Sequence, residues 1–488
     1  MKNTIKLIVC GLMLFHFSCD DSLDEINVDP NTFPSADDPQ VLTSSLGFLG
    51  YIVDADLNYS DSFVWSQYYT WGIGVAIGNS ERYVQQAGDH DGYWSRAYAS
   101  SLADLDYIDR NSTNKAYRGI SKVLKVYIFQ GLVDHFGDIP FTEALLGAIE
   151  DGSNFSPNYD SAETVIYPAL VTMLDDAIEE LSTADDDDID VIGSDDLLYQ
   201  GDISKWMKFA NSLKLRVLMR TSEVSSQSSV VQDLISSGTF IETVDDMPSI
   251  TYSGATGNQN PMFALAEAGV GMFYFASNST LNVLQNLNDP RDEVFYTLAT
   301  TGTFADNLHG IDQGTIDDED FTASDSNYSL ASDYAYGEAN SVILMSPWEV
   351  WFLRAEADAR YGTSDDETNA FETAINLNFT YMGLDASAYI NALGYSSSES
   401  LDDKLDVIGI QKWIALNGTQ EDEGWIEARR FDRPASRIFT DGIWQTPPLS
   451  VLASGEFPSV WLYPSTERSL NPNAPAQRTI TDNIFWDN

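Results

Sequence analysis

The sequence predicts a mostly α-helical protein in which long loops, carrying a few short strands, separate the helices. Two observations lead to this expectation. Apolar residues recur at helical spacing in several segments, and these segments begin at capping residues and end at glycine or at Asn-Gly. The stretches between them, chiefly 66–92, 251–280 and 300–342, are rich in Ser, Gly, Asn, Asp and Tyr, a composition typical of loops.

Four helices can be placed in order along the chain. The first follows the capping-box pattern Asp160-Ser161-Ala162-Glu163. The third begins at Ser346-Pro347-Trp348-Glu349, where Ser346 can cap, Pro347 fits the first turn and Glu349 can reach back to the cap amide, and Gly362 can end it. The fourth, Gln411–Leu416, stops at Asn417-Gly418. The predicted buried stripes are Ile166, Leu170, Leu174, Ala177 and Leu181 in the first, Trp206, Phe209, Leu213 and Val217 in the second, and Trp348, Trp351, Phe352 and Ala355 in the third.

The amino terminus has the features of a secretory signal. Two lysines precede an apolar stretch that ends at Ser18, and this stretch is about half as long as the roughly 20 residues that span a bilayer. Cys19 follows directly, in an arrangement similar to a bacterial lipoprotein box, and the acidic run behind it resembles the surface-export signal of Bacteroidetes lipoproteins. We therefore expect a signal peptide over 1–18, a lipidated Cys19 that leads into a tail over 19–45, and a single domain over 46–488. The alternative is an ordinary secreted protein with a chance cysteine.

The cysteine count and the charge exclude several classes of function. Cys10 is the only other cysteine and lies in the segment to be removed, so the mature chain is expected to contain no disulfide and no thiol site. Acidic residues outnumber basic ones by 75 to 25, for a net charge of −50, and loss of Lys2 and Lys6 would leave −52. Such a field repels nucleic acid and anionic lipid, so neither is an expected partner. The run Asp185 to Asp188 does not fit a calcium loop and is predicted to be a hydrated loop.

A search for catalytic motifs gives no candidate. The four histidines form neither H-E-x-x-H nor any related pattern, and no G-x-S-x-G occurs. Gly72-Ile73-Gly74 with Gly78 misses the dinucleotide fingerprint by one residue, which favours a flexible loop. We therefore predict no cofactor, no metal site and no catalytic residue. A secreted glycoside hydrolase with an unidentified carboxylate pair stays as an alternative.

Eight motifs, in order along the chain, are similar to those of one family. They lie at Leu23–Asn31, Phe129–Ala144, Asp196–Asp202, Lys205–Arg216, Asn288–Arg291, Trp351–Ala357, Gln411–Asn417 with Glu427–Arg430, and Tyr463–Glu467 with Leu470–Asn473. The chain resembles the SusD/RagB-type nutrient-binding outer-membrane lipoproteins of Bacteroidetes, in the SusD-like subgroup. The departures are small, such as Phe141 where the family often has tyrosine.

The resemblance implies a SusD-like fold with tetratricopeptide-like helix pairs. It also implies an outer-membrane lipoprotein that faces the cell exterior, captures oligosaccharide or polysaccharide without cleaving it, and delivers it to a SusC-like TonB-dependent transporter. The strong negative charge favours a neutral glycan, such as a glucan, over an acidic one. The alternative within the family is peptide capture of the RagB kind. His135 is expected to close a turn rather than hold a metal, and Arg354 and Glu356 to form buried ion pairs.

A glycan site should expose flat aromatic rings, because a pyranose packs its C–H face on an aromatic face while its hydroxyls need amide and carboxylate partners. Most tryptophans lie in helical patterns or in the terminal segment and are expected in the core, and Trp94 is expected to pack at a helix start. In resembling proteins the 60–95 loop and the middle segment lie on the ligand face. The candidate ligand-binding residues are therefore Trp65, Tyr69, Trp71 and Asn79 in the first segment and Phe273, Tyr274 and Asn278 in the second. The alternative role for each of these rings is in the core.

Overall fold

The protein is described here by a computed structural model, which describes residues 36–59, 61–71, 79–148, 154–268, 274–315 and 327–487. Several of the sequence predictions fall outside these residues. They are the signal peptide over 1–18, the lipidated Cys19 and the tail behind it as far as residue 35, the family motif Leu23–Asn31, the glycine-containing loop over 72–78, and Phe273.

The described residues form a mostly helical structure, as predicted from the sequence. Eighteen α-helices lie within them. In chain order they are α1 (Asp38–Tyr51), α2 (Asp61–Trp65), α3 (Asp91–Arg96), α4 (Leu102–Asn111), α5 (Lys115–Phe136), α6 (Tyr167–Ser182), α7 (Asp186–Ile189), α8 (Ile203–Arg220), α9 (Ser228–Ser237), α10 (Pro261–Ala268), α11 (Asn278–Leu287), α12 (Asp292–Phe295), α13 (Pro347–Tyr361), α14 (Glu367–Tyr381), α15 (Ser387–Leu393), α16 (Leu401–Leu416), α17 (Glu421–Phe431) and α18 (Ser465–Leu470).

The long helices pack as sequential pairs. Helix α5 contacts α4 on one side and α6 on the other, and α8 packs on α6. Farther along the chain, α13 pairs with α14 and α16 with α17, while α13 also contacts α16 and α8 and so joins the two groups. These helices form the scaffold, which we define as α4 to α6, α8, α13, α14, α16 and α17.

Local sequence signals set the start of the scaffold helices. Ser346 caps α13 by accepting a hydrogen bond from the Glu349 amide at 3.2 Å, and Gly362 ends the helix at φ +62°. The expected return bond from Glu349 does not form, because its carboxylate pairs with Arg216 of α8 at 2.6 Å and Gln420 accepts from the cap amide instead. In the segment that leads into α6 the cap is Ser161 rather than Asp160.

The predicted apolar stripes face the core. All five stripe residues of the first predicted helix and all four of the second are buried. In α13, Trp348, Phe352 and Ala355 are buried, whereas Trp351 is half-buried at the edge of the stripe. One continuous cluster of buried apolar side chains runs from Val41 to Trp486. The expected domain boundary at residue 46 falls inside α1, whose Leu42 already belongs to this core.

The few strands within the described residues form two small antiparallel sheets. Strand β1 (Tyr69–Trp71) pairs with β3 (Tyr274–Ala276), and β2 (Ser249–Ile250) pairs with β4 (Val342–Ile343). All four lie in or beside the segments predicted to be loops with short strands. The acidic run predicted to be a loop instead forms the single-turn helix α7, capped by Asp185, and its side chains are not buried.

A network of buried ion pairs holds the scaffold helices together. Arg430 of α17 binds Glu356 of α13 at 2.6 Å through two nitrogens and also binds Glu427. Arg220 of α8 contacts Glu423, Glu427 and Asp134 of α5. Burial would raise the pKa of Glu356, but the charges of Arg430 and Arg360 outweigh burial and lower it to about 2. Arg354 pairs with Asp365 and Glu242. Arg354 and Glu356 are therefore both in ion pairs, as expected, but they do not pair with each other.

Candidate functional site

The sheet of β1 and β3 lies where the two segments predicted to bind ligand meet. Its register places Trp71 opposite Tyr274 and Thr70 opposite Phe275. Directly opposed residues lie on the same face of a sheet. The face that carries Tyr69, Trp71 and Tyr274 packs on the main core, whereas Phe275 belongs to a separate small cluster with Ile311 and Tyr328. We call this sheet, together with residues 79–84, 304–315 and 327–331, the loop face.

Three of the predicted binding rings are buried, which is a correction to the expectation that they are exposed. Trp65 is 2% exposed and donates its indole N–H to the Ser80 carbonyl at 2.8 Å. Tyr69 is fully buried and stacks on Phe63 at 4.3 Å between ring centroids. Tyr274 is 5% exposed, and its ring also contacts Phe63. These rings hold the loop face to the core and cannot stack on a ligand in this conformation.

Trp71 is the one predicted binding ring among the described residues that reaches the surface. It is half-buried at the end of β1, and its ring centroid lies 5.1 Å from that of Tyr274. Its partner ring is thus part of the core, while Trp71 itself stays partly exposed. Among the eleven tryptophans, all of which lie in the described ranges, only Trp71 and Trp351 are not buried. The ring of Trp351 is already covered, because the Arg354 guanidinium lies 3.9 Å from its centroid.

A buried carboxyl group fixes the backbone at Trp71. Glu81 is fully buried and accepts hydrogen bonds from the Thr70 hydroxyl, from the Trp71 amide at 2.8 Å and from the Gly314 amide at 3.1 Å. Gln313 Nε2 donates to it as well, at 3.0 Å. Burial raises the pKa of Glu81 to about 7, although these hydrogen bonds act to lower it. Glu81 therefore joins strand β1 to the 313–314 backbone, and sequence reasoning missed it because a single glutamate carries no local pattern.

The two predicted asparagines lie on the loop face with different surroundings. Asn278, half-buried, begins α11 and donates from Nδ2 to the exposed Asp312 carboxylate at 2.7 Å. Asn79 is exposed, and among the described residues no hydrogen bond restrains its side chain amide. Asn278 and Asp312 together offer an amide and a carboxylate, the groups that sugar hydroxyls require. Their assignment to a ligand remains a prediction.

A stack of three aromatic rings is a further feature of the loop face. Phe304 is 37% exposed and lies on His309 at 3.7 Å between centroids, and His309 lies on Tyr328 at 4.5 Å. The His309 ring nitrogen Nδ1 is 2.9 Å from the Asn327 carbonyl, which orients the ring. Phe304 therefore presents a flat face on a supported platform. The sequence analysis treated 300–342 as a loop, and only the occurrence of aromatic residues at 304, 309 and 328 could have indicated the stack.

The charges of the molecule are distributed unequally between its interior and its surface. Of the 23 lysines and arginines after residue 18, all of which lie in the described ranges, only Arg110, Arg437 and Arg468 have exposed side chains. The remainder are buried or half-buried, and most of them pair with carboxylates. The surface potential is therefore set by the acidic residues, and anionic molecules are repelled.

The histidines of the described residues have structural partners. His90 Nε2 lies 3.2 Å from Asp61, and the ring stacks on Trp461. His135 lies in the last turn of α5, with Nε2 at 2.8 Å from Asp422 and Nδ1 at 2.6 Å from the Gly131 carbonyl. Across the described ranges, no cluster of three or more His, Cys, Asp or Glu side chains is placed to hold a metal ion. No helix in these ranges has the length and apolar character needed to cross a bilayer.

Solved structures share this fold along most of the chain. A chitin-binding SusD homologue from Flavobacterium johnsoniae superposes with a TM-score of 0.75 at 20% identity, covering 92% of this chain and 98% of that one. A SusD homologue from Bacteroides uniformis gives 0.74 at 21% identity, covering 92% and 99%. A further chitin-binding protein gives 0.76 at 22% identity, covering 93% and 100%. At these identities the likeness shows the fold alone.

The family comparison covers most of the chain. The model of a SusD-like family, described as starch-binding and associating with the outer membrane, matches residues 40–464. No curated protein sequence matches. The matched range contains the scaffold and the loop face, so the chain belongs to the SusD-like family.

Proposed function

We propose that this protein captures a neutral oligosaccharide at the outer surface of the outer membrane and passes it to a SusC-like TonB-dependent transporter. The supporting observation is the loop face of a SusD-like chain, where the partly exposed rings of Trp71 and Phe304 are supported by Tyr274 and His309. An exposed aromatic ring can pack on the C–H face of a pyranose. Asn278, Asp312 and Asn79 lie on the same part of the molecule and supply polar partners for hydroxyl groups.

The distribution of charge supports a neutral ligand. A surface with three exposed cations and a chain charge of −50 disfavours alginate-like or sulfated polymers. Two structural relatives are described as chitin-binding, so chitin oligosaccharides stand beside glucans as probes.

A titration panel tests the ligand class. Titration calorimetry with malto-, cello- and chito-oligosaccharides, an alginate oligosaccharide and a mixture of short peptides should give saturable heats with at least one neutral glycan and none with alginate. Saturable binding of peptides alone would instead favour the RagB-like alternative. Binding of alginate in preference to all neutral glycans would contradict the electrostatic argument.

The second part of the proposal is binding without cleavage. Incubation of the purified protein with its glycan for a day should leave the distribution of chain lengths unchanged. Release of shorter products, abolished by replacing one carboxylate, would support the hydrolase alternative.

The third part is a lipid anchor at Cys19. Bacterial lipoproteins carry several acyl chains on this cysteine, and more than one chain is needed for stable anchoring. Cys19→Ala should move the protein from the membrane fraction to the soluble fraction in cells that lack the transporter. Retention of the variant in membranes under these conditions would contradict the anchor.

A further inference from the structure

The partners of the buried carboxyl groups indicate a second site. Sixteen aspartates and glutamates of the described residues are buried, and twelve of them form ion pairs with Arg, Lys or His. Two of the other four, Glu81 and Asp196, each accept hydrogen bonds from four separate donors. The remaining two are Asp54 and Glu421, and both line the same cavity.

Neither carboxyl group of this cavity pairs with an arginine, a lysine or a histidine of the described residues. Glu421 is 1% exposed, and no hydrogen bond reaches its Oε1. Asp54 is 7% exposed, accepts a hydrogen bond from the Met262 amide at 2.8 Å and has the Asn260 side chain as its other hydrogen-bond partner. A buried carboxylate without a cationic partner is unfavourable, and a bound cation would supply that partner.

The cavity has the size and the lining of a cation site. Its volume is about 370 Å³, which accommodates an ion together with several waters. The other polar groups that line it are neutral oxygen and nitrogen groups, including the Tyr334 hydroxyl, which has no hydrogen-bond partner, and Asn58. No lysine, arginine, histidine or cysteine of the described residues contributes to the lining. Oxygen ligands without imidazole or thiolate suit hard cations such as Ca²⁺ rather than zinc.

The backbone around the cavity is also unusual. Asp54 lies in a π-helical segment, Ile52–Asn58, that continues helix α1, and Glu421 is the first residue of α17. The half-buried Thr419 and Asn340 and the more exposed Tyr381 line the side that opens to solvent, so a ligand can enter.

We propose that this cavity binds a hard divalent metal cation, held by the carboxylates of Asp54 and Glu421 and completed by neutral oxygens and water. No residue of the loop face lines this cavity, and the proposal goes beyond the glycan-binding function. A cation there would link the α1 extension to the start of α17 and to the 334–343 segment. With only two carboxylates among its ligands, the site should bind Ca²⁺ with a dissociation constant of about 10⁻⁴ to 10⁻³ M, the range of weak extracellular sites.

Calcium titration of the purified protein, stripped with EGTA and measured without any glycan, tests the proposal. We expect saturable binding by calorimetry and a rise in melting temperature at constant ionic strength that NaCl does not reproduce. Glu421→Gln should weaken Ca²⁺ binding at least tenfold while the metal-free variant melts at the wild-type temperature or above, because a buried carboxyl group without a cationic partner is replaced by a neutral amide of the same size. Asp54→Asn is the second variant, with the same expected loss of binding.

The exposed acidic run provides the matched control. Asp187 lies on the single-turn helix α7, is exposed, and represents non-specific attraction of cations to the surface. Asp187→Asn should bind Ca²⁺ as the wild type does. The proposal is overturned if the wild type shows no saturable response up to 10 mM Ca²⁺, a concentration about tenfold above the weakest expected constant. It is also overturned if the response survives Glu421→Gln and Asp54→Asn, or if Na⁺ reproduces it in full.

Discussion

The scaffold and the loop face hold their buried carboxylates by different means. In the scaffold, Glu356 lies between two guanidinium groups, which lower its pKa to about 2. On the loop face, Glu81 is surrounded by neutral donors and no cation, and burial raises its pKa to about 7. The scaffold is therefore held by ion pairs between full charges. The loop face is held by hydrogen bonds to a single buried acid, Glu81, and by contacts between aromatic rings. Changes in the two regions should therefore have different consequences for stability, pH dependence and binding.

The largest expected effect is in the scaffold. Arg430→Leu leaves the carboxylates of Glu356 and Glu427 buried with fewer cationic partners. Removing one partner of a buried ion pair costs about 3–5 kcal/mol of unfolding free energy. Denaturant unfolding followed by circular dichroism measures this loss, and glycan affinity of the folded fraction should be unchanged. A loss below about 1 kcal/mol would mean that the network contributes no more than surface ion pairs do.

The second prediction concerns Tyr274, which the sequence suggested as a binding ring and the structure places in the core. Tyr274→Ala should lower the unfolding free energy by about 3 kcal/mol, the lower end of the cost of removing a buried aromatic ring. Tyr274→Phe, which keeps the ring, is the matched control and should cost much less. Normal stability of the alanine variant together with lost glycan binding would instead restore the ring to the ligand site.

The third prediction concerns the raised pKa of Glu81 on the loop face. Because the folded-state pKa of Glu81 lies above the ordinary 4.5, the folded state binds the proton more tightly than the unfolded state does. The resulting stabilisation is complete below about pH 4.5 and is lost as the pH rises through about 7. In the wild type this loss should amount to up to about 3 kcal/mol of unfolding free energy between pH 4.5 and 8, and Glu81→Gln should abolish it.

Unfolding measured at pH 5, 6.5 and 8 checks the sign of this effect. Glu293→Gln, in which an exposed carboxylate of α12 is replaced, is the control and should follow the wild-type pH profile. A Glu81→Gln profile parallel to that of the wild type would show that Glu81 does not take up a proton on folding in this range.

The smallest expected effect is on affinity alone. Trp71→Ala should weaken glycan binding by about tenfold to a hundredfold, since a stacking ring contributes about 1–3 kcal/mol, with little change in melting temperature. Trp351→Ala is the matched control, because Trp351 is the other half-buried tryptophan and lies on the scaffold beneath Arg354. It should bind glycan normally. Equal affinities of the two variants would remove Trp71 from the ligand site.

The contrast also explains which features could be predicted from the sequence. The stripe from Ile166 to Leu181 and the cap at Ser346 depend on neighbours within one helix, so periodicity and capping rules placed them. Trp71 and Tyr274 are a directly opposed pair, yet the rings of Phe63 and Tyr59 contact only Tyr274, which lies more than 200 positions away in sequence. Contacts at that separation leave no local pattern. Likewise, Glu421 meets Asp54 across more than 360 positions of sequence, a distance at which no local pattern can act.

The burial of the lysines and arginines has a consequence for the exposure of this protein to proteases. Trypsin cleaves after lysine or arginine in accessible, extended segments, and only Arg110, Arg437 and Arg468 have exposed side chains in the described ranges. Arg110 and Arg468 lie within helices, where the backbone must unfold locally before it can be cut. Residues 72–78, 269–273 and 316–326, next to the loop face in the chain, contain no lysine or arginine at all. A protein that works in a protease-rich medium would thus present trypsin-like enzymes with Arg437 as its main point of attack.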